Sequence, residues 1–295
     1  MKSPYKRAVV FDLETGGFSE KYNGITEIAM VAIDMESLEI IEEFSTLIKP
    51  RLDLTNREDD VNKEAKALFK MLKVKDEDSG LNILRFKDHD ITLKNLEPLE
   101  DAIDVFYLYL DTKGIDVIEY DHLIELEKNP DYSDIVKIYF DKCYNPQALE
   151  ATHIPRELFE TEGIEYQEAF KLIKEFFDIY KVGNSKPILS GHNIKKFDNP
   201  FMEVLFNNNN EDFYKYIDDT QMFDTLEIAR IKWFEMPSYA LGVVANELGI
   251  TLRDAHRALP DTVANAKVLI KMLKHLRGEG GSKSSYVRKK YTYNF

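Results

Sequence analysis

Residues 9–17 read VVFDLETGG, an apolar run that enters two acids at spacing i, i+2 and ends on two glycines. Side-chain direction in a strand repeats every two residues, so a strand here projects Asp12 and Glu14 from one face. Gly16 and Gly17 let the backbone turn away and leave room for a ligand close to the chain. Neighbouring carboxylates suit a hard divalent cation such as Mg²⁺ or Mn²⁺, which takes oxygen ligands and keeps waters for a substrate to displace. The spacing alone does not select function, because Asp34-Met35-Glu36 repeats it in a turn-like setting without glycines.

Around this segment, residues 5–50 predict a three-strand meander: YKRAVVFDL, then ITEIAMVAID, then LEIIEEFSTLIKP. Residues 145–180 change to helical period, with Ala169, Leu172, Ile173, Phe176, Phe177 and Tyr180 on one face. KPILSGHN predicts a buried strand running into a loop, and DNPFMEVLF a short helix. DDTQMFDTLEIARIKW and YALGVVANELGI predict further helical stretches. A last helix over about 260–276 carries Val263, Ala266, Leu269, Ile270, Leu273 and Leu276 on one side, with Pro260 in its first turn. This alternation predicts an α/β architecture, a mixed β-sheet flanked by helices.

Two segments stand apart. Residues 51–140 are highly charged, with helices expected near 61–73, 98–112 and 119–128, and predict a mainly helical charged insertion. The tail at 278–295 starts with the flexible GEGGSKSS and ends in the basic, aromatic SYVRKKYTYNF. The expected organisation is one domain over 1–277, interrupted at about 51–140, plus that tail.

Composition supplies ample core material, with 44% hydrophobic and 12% aromatic residues in 295. No apolar run approaches the roughly 18 residues of a membrane span, and the N-terminus predicts a first strand and not a signal peptide. The lone cysteine, Cys143, cannot form an intrachain disulfide, which points to a reducing intracellular, cytoplasmic setting. A net charge of −14 argues against tight binding of long duplexes. Residues 51–140 contribute −9 of it, and the 278–295 tail is +3.

Two further segments carry chemistry. In LSGHNIKKFDNPFM, Asp198 falls where an apolar strand gives way to a helix, a place that also suits a helix cap. In DAHRALPDTVANAKVLI, Pro260 places the helix start between His256 and Asp261, leaving the histidine in the preceding loop. Asp261 can then reach a metal while His256 accepts a proton from water, at a reference pKa near 6.5. Asp12, Glu14, Asp198 and Asp261 would repel one another without cations. With His256 they imply two divalent ions, one activating water and one stabilising a leaving oxygen.

FDLETGG, GHNIKKFD and HRALPD, in that order, resemble the motifs of the DEDDh (DnaQ-like) family of 3′–5′ exonucleases, over about residues 5–50 and 141–277. NPQALEATHIP, MFDTLEIAR and YALGVVANELGI are similar to its supporting segments. Arg257 occupies the place where the related tyrosine class needs Tyr, which favours the histidine class. The resemblance implies an RNase H-like fold and release of nucleoside 5′-monophosphates from a 3′ end. It implies Asp12, Glu14 and Asp261 as metal ligands, Asp198 as a ligand acting partly through water, and His256 as base. It further implies Leu13, Thr15 and Gly16 for sugar and base contact, with Asn193 and Phe197 helping to hold the substrate.

Three functions follow as expectations. One is a Mg²⁺- or Mn²⁺-dependent exonuclease on single-stranded DNA or frayed 3′ ends, in proofreading or degradation. A second keeps the chemistry on RNA or oligoribonucleotides. The third is a non-catalytic RNase H-like module that binds a polymerase or other protein through the insertion or the tail. The intact acids and His256 count against the third.

Overall fold

The computed structural model describes residues 6–21, 23–51, 73–75, 77–78, 82–86, 89–92, 128, 137, 140–141, 143–252 and 257–279. Its strands are β1 (Arg7–Thr15), β2 (Ile25–Asp34), β3 (Glu39–Leu47), β4 (Lys73–Lys75), β5 (Asn82–Phe86), β6 (His89–Thr92), β7 (Ile188–Gly191) and β8 (Asp218–Asp224). Its helices are α1 (Pro146–Ala151), α2 (Arg156–Thr161), α3 (Tyr166–Ile179), α4 (Asp198–Asn207), α5 (Thr225–Lys232), α6 (Leu241–Glu247) and α7 (Ala258–Leu276).

Strands β1 to β3 form the expected antiparallel meander, and β7 and β8 add in parallel beside β1, giving the order β3-β2-β1-β7-β8. Alternation along β1 sorts its side chains between two layers. Val9, Phe11 and Leu13 pack with Ala169, Ile173 and Phe177 of α3 and Met202 and Leu205 of α4. Ala8 and Val10 pack with Ala266 and Leu269 of α7. The period of two therefore directs Asp12 and Glu14 to the α7 side. Because β1 and β7 are parallel, their carboxyl ends lie together, the usual place for a ligand site in such a sheet.

In the five-stranded sheet and the helices around it, the sequence expectation fails at one element. DDTQMFD forms strand β8 and not the start of a helix; Met222, Phe223 and Asp224 pair with Leu189, Ser190 and Gly191. This long-range pairing overrides a local pattern that is ambiguous over so short a run. Helix α5 begins only at Thr225, where the Asp224 carboxylate accepts from the N–H groups of Leu226 and Glu227.

Within the 51–140 block, β4, β5 and β6 make a small antiparallel sheet that the charge pattern did not announce. Of the helices expected there, Lys73 belongs to a strand, Lys128 is helical, and 61–72, 98–112 and 119–127 lie outside the described residues. Residues 280–295 of the tail also lie outside them. Among the described residues, no helix is long and apolar enough to cross a membrane.

Candidate active site

Asp12 and Glu14 reach the α7 layer at the end of β1, and the first turn of α7 brings Asp261 to meet them. One carboxylate oxygen from each of the three lies within 4.8 Å of the others. Asp198 closes the group from α4. Its Oδ1 accepts the Leu13 N–H at 3.1 Å, so it is anchored on the backbone between the two β1 acids. Although Asp198 opens the helix, α4 shows no side-chain cap hydrogen bond. The carboxylate is committed across the chain to β1.

The electrostatics match this crowding. Burial raises the Asp12 carboxyl well above the usual range, with Asp198, Glu14 and Asp261 adding repulsion. Burial, then Asp261 and Glu27, push Glu14 up to about 8, against a smaller opposing pull from Arg257. Burial takes Asp198 up to about 7, moderated by the Leu13 N–H. Four hard oxygen donors, three of them held back from ionising, make a site that a divalent cation fits in ligand type and charge.

The expected substrate-side residues divide. Gly16 N donates to Gly24 O at 2.8 Å and Gly16 O accepts from Asn145 N at 2.7 Å, which fixes the backbone after Glu14. Thr15 is buried, and its hydroxyl donates to Gly17 O at 2.7 Å. The Leu13 side chain lies in the core, so its N–H, donated to Asp198, is what it turns to the site. Asn193 adopts a left-handed turn, φ 68°, and donates its N–H to Asp224 Oδ1 at 3.0 Å. Half-buried Phe197 meets the ring of Phe18 edge-on at 6.2 Å between centroids. His256 lies outside the described residues. His192 is structural here: Nε2 donates to Tyr239 O at 2.8 Å and Nδ1 is 3.0 Å from Thr225 Oγ1, while burial lowers its pKa.

Three residues at the site were not expected from sequence. Phe18 is 90% exposed beside Phe197. Tyr144 is buried against the Gly16–Gly24 turn, where a Cβ on either glycine would collide with it. Glu27 is a buried carboxylate on β2, directly opposite Glu14.

The RNase T family model, described as exonuclease, matches residues 9–78 and 110–269. The chain belongs to the DEDDh, DnaQ-like exonuclease family. That match spans the three segments holding Asp12, Glu14, Asp198 and Asp261, and leaves 79–109 outside it. Relatives of this exonuclease-family chain include the PolC-type DNA polymerase III of Bacillus cereus, 29% identical over 177 residues, 58% of this chain and 11% of that one. The Staphylococcus aureus PolC-type polymerase is 27% identical over 221 residues, 72% of this chain and 14% of that one. The chain thus spans only 11–14% of the length of these relatives. Among solved structures, E. coli exonuclease I with a dT13 oligonucleotide has a TM-score of 0.53 at 16% identity, covering 92% of this chain and 41% of that one. Its zinc-bound complex with single-stranded DNA has a TM-score of 0.54 at 16% identity, covering 93% and 41%. This likeness establishes the RNase H-like α/β fold.

Proposed function

We propose that this chain is a divalent-metal-dependent 3′–5′ exonuclease that acts on single-stranded DNA or frayed 3′ ends and releases nucleoside 5′-monophosphates. The observation that carries the reading is the convergence of Asp12, Glu14 and Asp261 oxygens within 4.8 Å at the carboxyl end of β1. In this reading those three acids and Asp198 hold two ions, Mg²⁺ or Mn²⁺. Bound ions there supply Lewis-acid charge that polarises water and neutralises the phosphate and leaving oxygen. His256 takes the water's proton, the Thr15–Gly16 backbone bounds the terminal sugar, and Phe197 with Asn193 borders the nucleotide.

The DNA assignment draws on the PolC-type relatives, which are DNA polymerases, and on exonuclease I, solved with single-stranded DNA. A non-catalytic module fits less well, since packing repelling acids without a cation costs stability and serves no docking purpose.

The test is degradation of 5′-labelled DNA and RNA oligonucleotides in Mg²⁺, Mn²⁺ or EDTA. A metal-dependent 3′ ladder, lost in Asp12→Ala, is expected on DNA. A ladder on RNA alone moves the substrate to RNA, and no degradation of either polymer sinks the enzyme reading. His256→Ala should keep metal binding and lose most of the rate; unchanged turnover removes it as base.

A further inference from the structure

Glu27 faces Glu14 directly across the β1–β2 pair, and it is 3% exposed. Like charges opposite one another on a sheet are unfavourable, and more so when buried. Glu27 is compensated from one direction. Arg257 donates to it through Nε at 3.0 Å and Nη2 at 2.9 Å, and the backbone N–H of Ala258 donates to Oε2 at 3.0 Å. Arg257 caps α7 and Ala258 is its first residue, so the contacts tie the start of that helix to β2. Asp261, which joins Asp12 and Glu14 of β1 within 4.8 Å, sits in that same first turn.

A bidentate guanidinium–carboxylate fork fixes direction as well as distance. The Ala258 N–H is one of the helix-start donors that has no partner inside the helix. Glu27 satisfies both groups at once, so the axial position and rotation of the first turn of α7 are set against β2. The register then sets them against Glu14, one strand away.

We infer that Glu27 and Arg257 form a positioning latch that holds Asp261 at ligand distance from Asp12 and Glu14, and so sets the affinity of the site for its divalent ion. The inference rests on the reading of those three acids as metal ligands. It assigns no contact with substrate to either latch residue.

Charge alone makes the opposite prediction, and this separates the two accounts. Arg257→Gln removes a cation near Glu14 and leaves Glu27 anionic, so a site governed by net charge would bind a divalent ion more tightly. The latch requires weaker binding, because the first turn of α7 is released.

The experiment is calorimetric titration of the full chain with Mn²⁺. Parallel rates on a single-stranded oligonucleotide and circular dichroism in EDTA establish that each variant is folded. Arg257→Gln should weaken Mn²⁺ binding roughly 10- to 100-fold, the usual effect of losing a residue that orients a ligand. It should lower kcat at limiting Mn²⁺ while KM for the oligonucleotide changes little. Arg257→Lys keeps the charge without the fork and should recover only part of the affinity. Unchanged or tighter Mn²⁺ binding in Arg257→Gln overturns the latch, as does full recovery by lysine. An unsubstituted chain that binds no Mn²⁺ overturns it together with the metal site. Because the titration needs no turnover, an inactive protein refutes the exonuclease reading and still leaves the latch decided by binding.

Discussion

The Tyr144 hydroxyl accepts the Arg51 N–H at 2.8 Å, joining the point where the 51–140 block leaves the main sheet to the point just after it returns. The same ring fills the space beside Gly16 and Gly24, and it packs on Phe140 and Phe159 at 5.1 and 5.3 Å. Asn145, the next residue, donates its N–H to Gly16 O at 2.7 Å. Both ends of the block are therefore anchored to the turn that follows the β1 acids.

Tyr144→Phe keeps the ring and removes the hydroxyl, stranding the Arg51 N–H. The expected loss is about 1 kcal/mol of stability, the net worth of one hydrogen bond. Tyr144→Ala also opens a cavity and should cost about 3–5 kcal/mol. Urea melts of the two variants check the order; equal losses would show that the ring contributes nothing beyond the hydroxyl bond.

Gly16→Ala tests the closeness of the same turn. A Cβ there collides with the Cys143 carbonyl oxygen and lies 2.7 Å from the Tyr144 Cα, both backbone atoms with little freedom to move. Overpacking of this kind costs about 1–3 kcal/mol. The strain falls two residues from Glu14, so nuclease activity should drop more than ten-fold, about the effect of 1.4 kcal/mol on a barrier. Wild-type activity in a folded Gly16→Ala protein would show that the turn tolerates displacement.

Much of this arrangement is legible in the sequence, and the gaps have physical causes. The β1 acids show themselves because a strand period and two glycines are local signals. Asp261 shows itself because Pro260 marks a helix start. Strand β8 is hidden because DDTQMFD becomes a strand only by pairing with β7. Glu27 looks like an ordinary strand position, since its partner Arg257 lies 230 residues away. Thr15 has a residue type that suits substrate contact, but the turn after β1 spends its hydroxyl on Gly17 O.

Metal-free protein should lose stability as pH rises. Glu14 titrates at about 8 in the folded chain, against an ordinary value of 4.5. Between those values the folded state holds a proton that the unfolded state has released, so raising the pH favours unfolding. The contribution is full below about pH 4.5 and is lost through about pH 8. Denaturant midpoints in EDTA should fall across this window, and Mn²⁺ should raise the midpoint more at pH 8 than at pH 5. A flat profile in EDTA would mean that Glu14 is already ionised in the fold.

Glu14→Gln should separate stability from function. Removing one buried, repelled charge is expected to raise the metal-free melting temperature near pH 8, while Mn²⁺ stabilisation and exonuclease activity are lost. A variant less stable than the parent in EDTA at that pH would show that the Glu14 carboxylate makes a favourable contact outweighing the repulsion.

Phe18 supplies the last prediction. A phenylalanine 90% exposed buries almost no surface of its own, so folding gives no account of its position. Phe18 lies four residues after Glu14, and its ring meets edge-on at 6.2 Å that of Phe197, the residue before the ligand candidate Asp198. An aromatic face standing free there is available to stack on an unpaired base, a contact worth about 1–3 kcal/mol by alanine substitution. Phe18→Ala should therefore change stability by less than about 0.5 kcal/mol and weaken single-strand binding by roughly ten-fold or more. Fluorescence anisotropy with a labelled oligonucleotide, in Ca²⁺ to limit turnover, reads the affinity directly. Unchanged binding would place the strand on another face of the β1–β2 turn.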